Sequence, residues 1–488
     1  MIFNFLTKRL KKPRAVGVKE ILLIELPPWD PRTPPLGLAY LATFLKSKGI
    51  NAKVFDLNID MYNAEDTERK KGWGNDDYYW WRSERLEEKY SRMFEDFAEK
   101  ILKFNSRFIG FSTTLPSIPF LNNLLVSLKR KSPDKVIIVG GPGTFFLETR
   151  RRDFVKRFIN YFVIGDGELA LYELLSGLDQ EGNLLLPEKG PLRTWKEYAG
   201  EKTICVQTAK IADLDSMPHP TFEEFDLSAY TEGHFTLPIL FSKGCTKKCT
   251  FCSDRVLSYP YRCRKAEKVV EEISWHIGRY GNINTFRIND LSFNANLRFL
   301  NELCDGIISR GINIKWYGQA QVRPGMNLEL FLKMKKAGCR QMDLGIESFC
   351  DRVLSMMNKG YSSADAVQFL KSAKKADIYT NVLLIVGYPG ETDKDFKETL
   401  ECIKQNSEYI DRIGSLNICG MPIGSELKNY PQKHNYMPVP GEWESCDGTN
   451  TYEVRKRRYN AVISCCRKLN IPVEGCLDLE VFESTKRR

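Results

Sequence analysis

Short apolar runs alternate with amphipathic helical patterns along most of this chain, and this alternation restricts its fold more than any other feature. In the N-terminal half, apolar runs predict strands at Glu20–Leu26, Ala52–Leu57, Arg107–Thr114, Lys135–Gly141 and Tyr161–Gly165. Strands that alternate with helices form parallel sheets covered on both faces. The pattern therefore predicts an α/β fold with a doubly wound, Rossmann-like domain over residues 20–200, whose ligand lies beyond the carboxyl ends of the strands.

A second alternation follows residue 233. Its apolar runs predict strands at 236–241, 285–288, 313–317, 340–346, 379–386 and 413–418. Helical patterns lie between them at 266–280, 296–310, 328–337, 363–376 and 393–407. Such units predict a partial (β/α)6 TIM-like barrel over residues 234–430, with its chemistry at the carboxyl ends of the strands.

Three segments flank these domains. Residues 1–19 form a basic extension, residues 201–233 a proline-containing linker, and residues 431–488 a C-terminal cap or substrate region. The last segment contains aromatic, proline and glycine residues that suit either a cover over the barrel mouth or capping of the fold. They are Pro438, Pro440, Gly441, Trp443 and Tyr452.

Three cysteines follow the first predicted barrel strand in a CxxxCxxC arrangement. They are Cys245, Cys249 and Cys252, preceded by Gly244 and interleaved with Phe251. Three thiolates can bind three irons of a [4Fe–4S] cluster and leave the fourth iron open. Chance grouping is the alternative, because the chain has 14 cysteines. The spacing, the preceding strand and the aromatic residue favour the cluster.

Glycine and small polar residues follow the predicted strands of the first domain. These strand ends carry Ser112, Thr113, Thr114, Gly140, Gly141, Pro142, Gly165, Gly167 and Glu168. Glycine lets a backbone approach a ligand closely, and hydroxyls bond to its polar edges. The runs lack the GxGxxG spacing, which disfavours a nicotinamide or flavin cofactor.

Together these motifs resemble those of cobalamin-binding radical SAM proteins, in particular the class B radical SAM methyltransferases. The resemblance rests on Pro27-Pro28, PPLGLAYLA at 34–42, GGP at 140–142 and GDGE at 165–168, followed by CxxxCxxC. It implies a first sheet that carries cobalamin on its strand ends, with Pro28, Leu36 and the strand-end residues above as contacts. It also implies S-adenosyl-L-methionine (SAM) on the open iron of the cluster.

For the barrel, the resemblance implies SAM contacts near the cysteine loop and at the strand ends. These are Phe251, Asp290, Arg323, Glu347, Ser348 and Gly387. For each charged residue among them, a salt bridge at the barrel rim remains the alternative.

One departure concerns cobalt. Cobalamin domains that bind cobalt from below use Asp-x-His-x-x-Gly, whereas the four histidines here, at 219, 234, 276 and 434, all lie outside residues 20–200. We therefore expect cobalamin without a histidine ligand. The insertion 61–85 holds Trp73, Tyr78, Tyr79, Trp80 and Trp81, which suit either the corrin and substrate cavity or docking of the insertion onto the sheet.

The resemblance implies an enzyme that uses a 5′-deoxyadenosyl radical and methylcobalamin to methylate an unactivated carbon or phosphorus. One alternative uses the same cofactors for a rearrangement, cyclisation or oxidation without methyl transfer. Another is a non-catalytic cobalamin or iron–sulfur sensor. A small-molecule or peptide substrate and an electron donor such as flavodoxin or ferredoxin are the expected partners.

Composition excludes other classes. The net charge of +10 is scattered, so nucleic acid is not expected, and the basic runs at 8–14, 150–152 and 455–458 are predicted to be solvated. No apolar run reaches the ~20 residues of a transmembrane helix. Residues 1–14 lack the pattern of a signal peptide, so we expect a cytoplasmic protein in which grouped cysteines bind metal. Cys446, Cys465, Cys466 and Cys476 suit either an auxiliary cluster or buried free thiols.

Overall fold

The computed structural model describes residues 17–71, 73, 80–145, 154–184, 204–207, 210–254, 260–439 and 442–475. Within these ranges the chain forms two six-stranded parallel sheets, which confirms the predicted α/β fold. Several sequence predictions lie outside the described residues. They concern most of the N-terminal extension, the basic run 150–152, Tyr78, Tyr79, Pro440, Gly441 and Cys476.

The first sheet has the strand order β2-β1-β3-β4-β5-β6. Its strands are β1 Glu20–Glu25, β2 Asn51–Asp56, β3 Phe108–Ser112, β4 Val136–Gly140, β5 Tyr161–Val163 and β6 Ile204–Val206. Its helices are α1 Leu36–Ser47, α2 Leu57–Ala64, α3 Thr67–Lys71, α4 Glu84–Tyr90, α5 Phe94–Leu102, α6 Ile118–Lys131 and α7 Gly167–Ser176. Helices α1 and α7 cover one face, and α5 and α6 cover the other. Strand β6, which pairs with β5, was not predicted.

The second sheet has the order β14-β13-β12-β11-β10-β7 and is parallel throughout. Its strands are β7 Thr236–Ile239, β10 Thr285–Ile288, β11 Lys315–Ala320, β12 Cys339–Glu347, β13 Tyr379–Val386 and β14 Arg412–Ile418. The hairpin β8 Ser242–Lys243 and β9 Arg262–Cys263 follows β7. The helices are α8 Ala266–Tyr280, α9 Leu297–Ser309, α10 Leu328–Lys336, α11 Asp351–Met356, α12 Ser363–Lys375 and α13 Asp393–Gln405.

The two faces of this second sheet differ in polarity. Side chains such as Phe286, Trp316 and Leu344 are buried in the core beneath the helices. Alternate positions carry polar side chains, which therefore face the inside of the barrel. They include Arg287, Tyr317, Gln319, Gln341, Asp343, Asn381, Arg412 and Asn417. A closed TIM barrel fills this space with branched apolar side chains, whereas polar side chains line it here.

The two sheets share one hydrophobic core. The apolar cluster on the α1 and α7 face continues through Phe222, Phe225 and Tyr230 of the linker into the barrel core. Polar contacts reinforce this junction: the Tyr230 hydroxyl donates to Asp56 at 2.7 Å, and the Arg264 guanidinium lies 2.9 Å from Asp215. The linker is therefore a packed layer between the two domains.

The C-terminal region closes one edge of the barrel. It consists of α14 Glu426–Asn429, the hairpin β15 Tyr436–Val439 and β16 Glu442–Ser445, and α15 Tyr452–Lys468. Trp443 is buried, and its indole N–H donates to the Cys419 carbonyl at 2.9 Å. Beyond α15, the backbone of Ile413 in β14 bonds to residues 472 and 474. Trp443 thus caps the fold.

The basic run on α15 corrects a sequence prediction. We expected residues 455–458 to be solvated, yet Arg455 is 0% exposed and Arg458 is 2% exposed. Arg455 bonds to Glu442, and Arg458 bonds to Glu391. Glu442 lies 13 residues from Arg455 and Glu391 lies 67 residues from Arg458, both outside α15, so the pattern within the helix gave no sign of the ion pairs that permit burial.

Among the described residues, no helix combines the length and the apolar character that crossing a bilayer requires.

Candidate functional site

The cysteine loop leaves the barrel through the hairpin β8–β9. Lys243 pairs with Arg262 across this hairpin. Gly244 then turns the chain into Cys245 with a φ of +94°. Because side chains other than hydrogen are strained at this φ, glycine suits the position directly before the first cysteine.

The three thiols fit a [4Fe–4S] cluster. Cys249 is buried, Cys245 and Cys252 are half-buried, and none of the three forms a disulfide. Their sulfurs do not all lie within 4.8 Å of one another. They are therefore not arranged as ligands of a single tetrahedral ion, whereas in a [4Fe–4S] cluster each thiolate binds its own iron. Burial raises the pKa of the Cys249 thiol, and the nearby Lys359 ammonium opposes that rise.

Neighbouring elements fix the backbone of the loop. The Thr250 N–H donates to the Met357 carbonyl at 3.1 Å, and the Leu427 N–H donates to the Thr250 carbonyl at 3.0 Å. The Asn358 side chain donates to the Lys248 carbonyl at 2.9 Å. Residues in and directly after α11, and a residue of α14, therefore hold the loop on both sides of Cys249.

Two predicted SAM residues, Phe251 and Glu347, meet around Lys359. The Lys359 ammonium lies 3.2 Å from Glu347, donates to the Gly345 carbonyl at 2.9 Å and lies 5.6 Å from the centre of the Phe251 ring. Burial alone would lower the pKa of Lys359, but the Glu347 carboxylate raises it above its ordinary value. Glu347 has a φ of +69°, and such outliers concentrate at functional sites.

Asp290 lies beyond β10 and braces the start of the cysteine hairpin. Its carboxylate accepts from the Phe241 N–H at 2.8 Å and from the Ser242 hydroxyl at 2.5 Å. Burial raises the pKa of Asp290 to about 7, while the Ser242 and Phe241 hydrogen bonds oppose the rise. With both oxygens bonded inside the protein, its contact with SAM stays a prediction.

Unpartnered polar atoms lie beyond β11. Gln321 is buried with neither side-chain amide atom hydrogen-bonded, and the Nε of Arg323 also lacks a partner among the described residues. Burial, followed by the positive charge of Arg323, lowers the pKa of Lys247 in the cysteine loop. Buried polar groups without partners are rare, so this strand end is suited to bind a ligand.

Ser348 and Gly387 contact other residues of the barrel and of α15. The Ser348 hydroxyl lies 3.1 Å from that of Thr399 on α13. The Gly387 N–H donates to Glu391 at 2.7 Å, and a Cβ at Gly387 would lie 2.3 Å from Cγ of Arg455. Their contacts with SAM stay predictions.

The strand ends of the first sheet form an open, glycine-lined surface. Gly141, Pro142 and Gly165 are exposed beside the ends of β4 and β5. Thr113 is buried beneath them and donates to the Gly140 carbonyl at 2.7 Å. Ser112 ends β3 in register with Gly140.

The packing of this surface explains its glycines. A Cβ at Gly141 would lie 2.7 Å from the Thr113 backbone, and one at Gly143 would lie 2.8 Å from the Thr113 hydroxyl. The hydroxyl oxygen of Thr114 is buried without a hydrogen-bond partner. Exposed glycines and an unpartnered hydroxyl fit a cofactor that lies on this surface.

Three other predicted cobalamin contacts are Pro28, Leu36 and Gly167. Pro28 follows β1 in a cis Pro27–Pro28 bond and is buried. Leu36 is buried at the first residue of α1, and Gly167 packs close to Leu41. Their roles stay predictions.

Glu168, also predicted to contact cobalamin, points to the other domain. Its carboxylate lies 3.3 Å from the Lys243 ammonium, and the neighbouring Asp166 accepts from the Arg262 guanidinium at 2.6 Å. Lys243 and Arg262 pair across the two strands that the cysteine loop connects. The GDGE loop therefore contacts the base of the cysteine loop.

The tryptophans of the insertion favour the docking alternative. Trp73 and Trp81 are buried in the core that α5 and α6 share with the sheet. The Arg69 guanidinium lies 3.7 Å from the centre of the Trp80 ring. These described aromatic residues anchor the insertion onto the domain.

The remaining cysteines do not form an auxiliary site among the described residues. Cys465 and Cys466 are buried on α15, whereas Cys446 is exposed. In the described ranges, one set of side chains lies close enough together to hold a metal ion, namely Cys350, Asp395 and Glu398. Its Asp395 is bonded to Arg352 and Thr392, so its oxygens are committed to an ion pair and a helix cap.

Sequence reasoning missed Lys243, Lys359 and Tyr388. Lys243 and Glu168 are 75 residues apart, and Tyr388 and Thr250 are 138 residues apart. None of the three belongs to a repeated spacing. Only the neighbourhood of Lys243, directly before Gly244 and Cys245, offered a usable signal.

Each half of the chain matches the model of a known protein family. Residues 239–403 match the model of the Radical SAM superfamily, and residues 30–175 match that of the B12 binding domain. Together the matches cover strands β2 to β5 of the first sheet, strands β10 to β13 of the second sheet, and the cysteine loop.

Three curated proteins are similar over most of this chain. An uncharacterized methyltransferase of Pyrococcus horikoshii is 26% identical over 80% of this chain and 78% of its own length. The cytidylyl-2-hydroxyethylphosphonate methyltransferase of Streptomyces wedmorensis is 23% identical, covering 93% and 92%. The anaerobic magnesium-protoporphyrin IX monomethyl ester cyclase of Rubrivivax gelatinosus is 25% identical, covering 75% of this chain and 61% of the cyclase.

Solved structures share the architecture. TsrM from Kitasatospora setae, a radical S-adenosylmethionine methyltransferase with cobalamin and a [4Fe–4S] cluster bound, superposes with a TM-score of 0.61 at 18% identity, covering 87% of this chain and 76% of TsrM. OxsB, a cobalamin-dependent S-adenosylmethionine radical enzyme with aqua-cobalamin bound, gives 0.62 at 16% identity, covering 85% of this chain and 55% of OxsB. At these identities the likeness establishes the fold.

Proposed function

The chain belongs to the cobalamin-binding radical SAM proteins, and on that premise we propose that it methylates an unactivated carbon, or phosphorus, of its substrate. It is a radical SAM enzyme whose cofactors are a [4Fe–4S] cluster, SAM and cobalamin. Methyl transfer and the atom that receives the methyl group are the proposed part.

The contact between the two cofactor-binding edges carries this proposal. Two loops at the carboxyl edge of the first sheet reach the barrel. Asp30, after β1, lies 2.7 Å from Arg287 on the barrel's inner face. Glu168, after β5, meets Lys243 at the base of the cysteine loop. Active sites of both fold types lie at the carboxyl edges of their strands, so this contact favours one shared reaction space.

The chain's own residues would hold and shield the reactants. Cys245, Cys249 and Cys252 would bind the cluster, and the strand-end surface at Ser112–Thr114 and Gly140–Pro142 would bind cobalamin. When bound, the cluster together with SAM supplies a 5′-deoxyadenosyl radical, and cobalamin supplies a methyl group. The polar inner face of the barrel would orient a substrate rich in hydrogen-bonding groups.

The relatives support methyl transfer. Two of the three similar curated proteins are named methyltransferases, and one of these is named for a phosphonate. This motivates carbon and phosphorus as alternative acceptors. The substrate would be a small molecule or a peptide, and a flavodoxin or ferredoxin would supply the electron.

A second candidate is oxidative cyclisation or rearrangement without methyl transfer. The similarity to the Rubrivivax gelatinosus cyclase favours it. The two candidates differ in product mass, because methylation adds one CH₂ equivalent and cyclisation adds none.

The test is anaerobic reconstitution with iron, sulfide, cobalamin, SAM and a reductant, followed by incubation with a panel of metabolites and peptides. We expect 5′-deoxyadenosine, S-adenosylhomocysteine and a product heavier by one CH₂ equivalent. Deoxyadenosine with a substrate-derived product that has not gained this mass would contradict methyl transfer and favour the second candidate.

The division of labour between the domains has its own test. Replacing Cys245, Cys249 and Cys252 together by alanine is expected to abolish iron–sulfur content and deoxyadenosine formation, while cobalamin still binds. Cys446→Ala, at an exposed thiol, is the matched control. Loss of cobalamin binding in the triple variant would refute the assignment of cobalamin to the N-terminal domain.

A further inference from the structure

We propose that Asp166 and Glu168 are positioning residues that fix the cobalamin-binding domain against the cysteine loop. This role differs from the corrin contact predicted for Glu168. The proposal rests on the proposed function insofar as both cofactors serve one reaction.

A compact ionic cluster carries the proposal. Arg262 Nη1 lies 2.6 Å from Asp166 Oδ2, and Lys243 Nζ lies 3.5 Å from Asp166 Oδ1 and 3.3 Å from Glu168 Oε1. The Arg262 and Glu168 side chains are each 7% exposed. Charged groups are seldom buried unless they are paired, so this junction depends on both domains.

The linker belongs to the same cluster. The Ile211 N–H donates to Asp166 Oδ2 at 3.1 Å, and the Ile211 carbonyl accepts from Arg262 Nη1 at 2.6 Å. The first domain, the linker and the barrel hairpin therefore all meet at the side chains of Asp166 and Arg262. A shift of the first domain relative to the barrel would break several buried bonds at once.

The barrel side of the cluster leads directly to the first cluster ligand. Lys243 and Arg262 face each other across β8–β9, and Cys245 follows Lys243 after Gly244 alone. On the other side, Asp166 and Glu168 flank the first residue of α7, next to the exposed Gly165 at the end of β5. The cluster thus joins residues that adjoin the two cofactor surfaces.

Such a link matters because the two cofactors must act on one substrate. Displacing reacting groups by about 1 Å can reduce a rate by about 100-fold. We therefore expect loss of the cluster to leave the cofactors bound but to reduce the methylated product formed per deoxyadenosine, by up to about 100-fold.

The test compares Asp166→Asn, Glu168→Gln, Arg262→Met and the charge-conserving Arg262→Lys in the reconstituted full chain. Relaxation-enhanced pulsed EPR measures the distance distribution between cob(II)alamin and the reduced cluster. We expect a broader or shifted distribution in the three neutral variants and a distribution close to wild type in Arg262→Lys. Glu173→Gln, further along α7 and outside the cluster, is the matched control.

Iron content and cobalamin affinity serve as the checks on folding. If Arg262→Met fails to retain the cofactors, Asp166→Asn and Glu168→Gln carry the test. Unchanged distance distributions in these variants would overturn the proposal. So would a tenfold or greater loss of cobalamin affinity in Glu168→Gln with an unchanged distribution, since this marks a corrin contact. The EPR measurement needs only bound cofactors, so it remains decisive if no methylated product is found and the proposed function fails.

Discussion

The hydroxyls of Tyr388 and Thr250 lie 2.7 Å apart, joining the loop after β13 to the cysteine loop. The Tyr388 hydroxyl also donates to the Met356 carbonyl at 2.9 Å. Both side chains are buried. Because Thr250 lies between Cys249 and Cys252, this bond is one of the contacts that set the position of the thiols.

Tyr388→Phe should destabilise the barrel and loosen the cysteine loop. The change leaves the buried Thr250 hydroxyl without its closest partner, which costs about 1–3 kcal/mol. Urea unfolding of the apoprotein measures the loss, and the rate of iron release to a chelator measures the effect on the loop. Tyr430→Phe, at a side chain that is 59% exposed, should change neither. Equal iron release from both variants would contradict the proposed link.

Arg455→Ala should be among the most destabilising single changes on α15. The guanidinium lies 2.6 Å from Glu442 and 4.0 Å from the centre of the Trp443 ring. Removing it breaks a largely buried ion pair with Glu442, which costs about 3–5 kcal/mol. Urea unfolding of the apoprotein measures the difference in free energy.

Arg457→Ala is the matched control on the same helix. The Arg457 side chain is 67% exposed, and its guanidinium lies as far as 4.0 Å from Asp393. Its removal should therefore change the free energy of unfolding by less than about 0.5 kcal/mol. Similar losses in the two variants would show that the buried contacts of Arg455 do not stabilise the cap.

Arg455 and Arg458, both on α15, also show where sequence reasoning stops. Most strands followed from local periodicity, although β6 did not, and Cys245, Cys249 and Cys252 were predicted as cluster ligands from local spacing. Arg455 and Arg458 lie three residues apart on one helical face, but the carboxylates that allow their burial come from distant segments. Glu168 is similar: its local GDGE motif suggested a cofactor contact, while its partner Lys243 is revealed only by the packing of the two domains.

Gly387→Ala should destabilise the contact between the barrel and Arg455 on α15. Gly387 has a φ of +76°, and a Cβ there would lie 2.3 Å from Cγ of Arg455. The left-handed conformation costs about 1–2 kcal/mol for a residue with a Cβ, and overpacking adds about 1–3 kcal/mol. Thermal denaturation measures the combined effect. Gly420→Ala, where a Cβ meets nothing within 4 Å, should stay close to wild type. A wild-type melting temperature for Gly387→Ala would mean that the loop shifts freely.

Asp290 should make stability fall as the pH rises from about 4 to about 7. Burial raises the pKa of this carboxyl from 3.8 to about 7 in the folded protein, so the native state retains a proton that the unfolded chain has lost. The stabilising contribution is therefore complete below pH 4 and disappears as the pH passes 7, with a full size on the order of 4 kcal/mol. Urea unfolding of the apoprotein between pH 5 and pH 8 measures this slope. Asp290→Asn keeps an acceptor for the Phe241 N–H but cannot ionise, so its stability relative to wild type should rise over this range. Parallel pH profiles for the two proteins would show that Asp290 is already ionised in the native state, held by its bonds to Phe241 and Ser242.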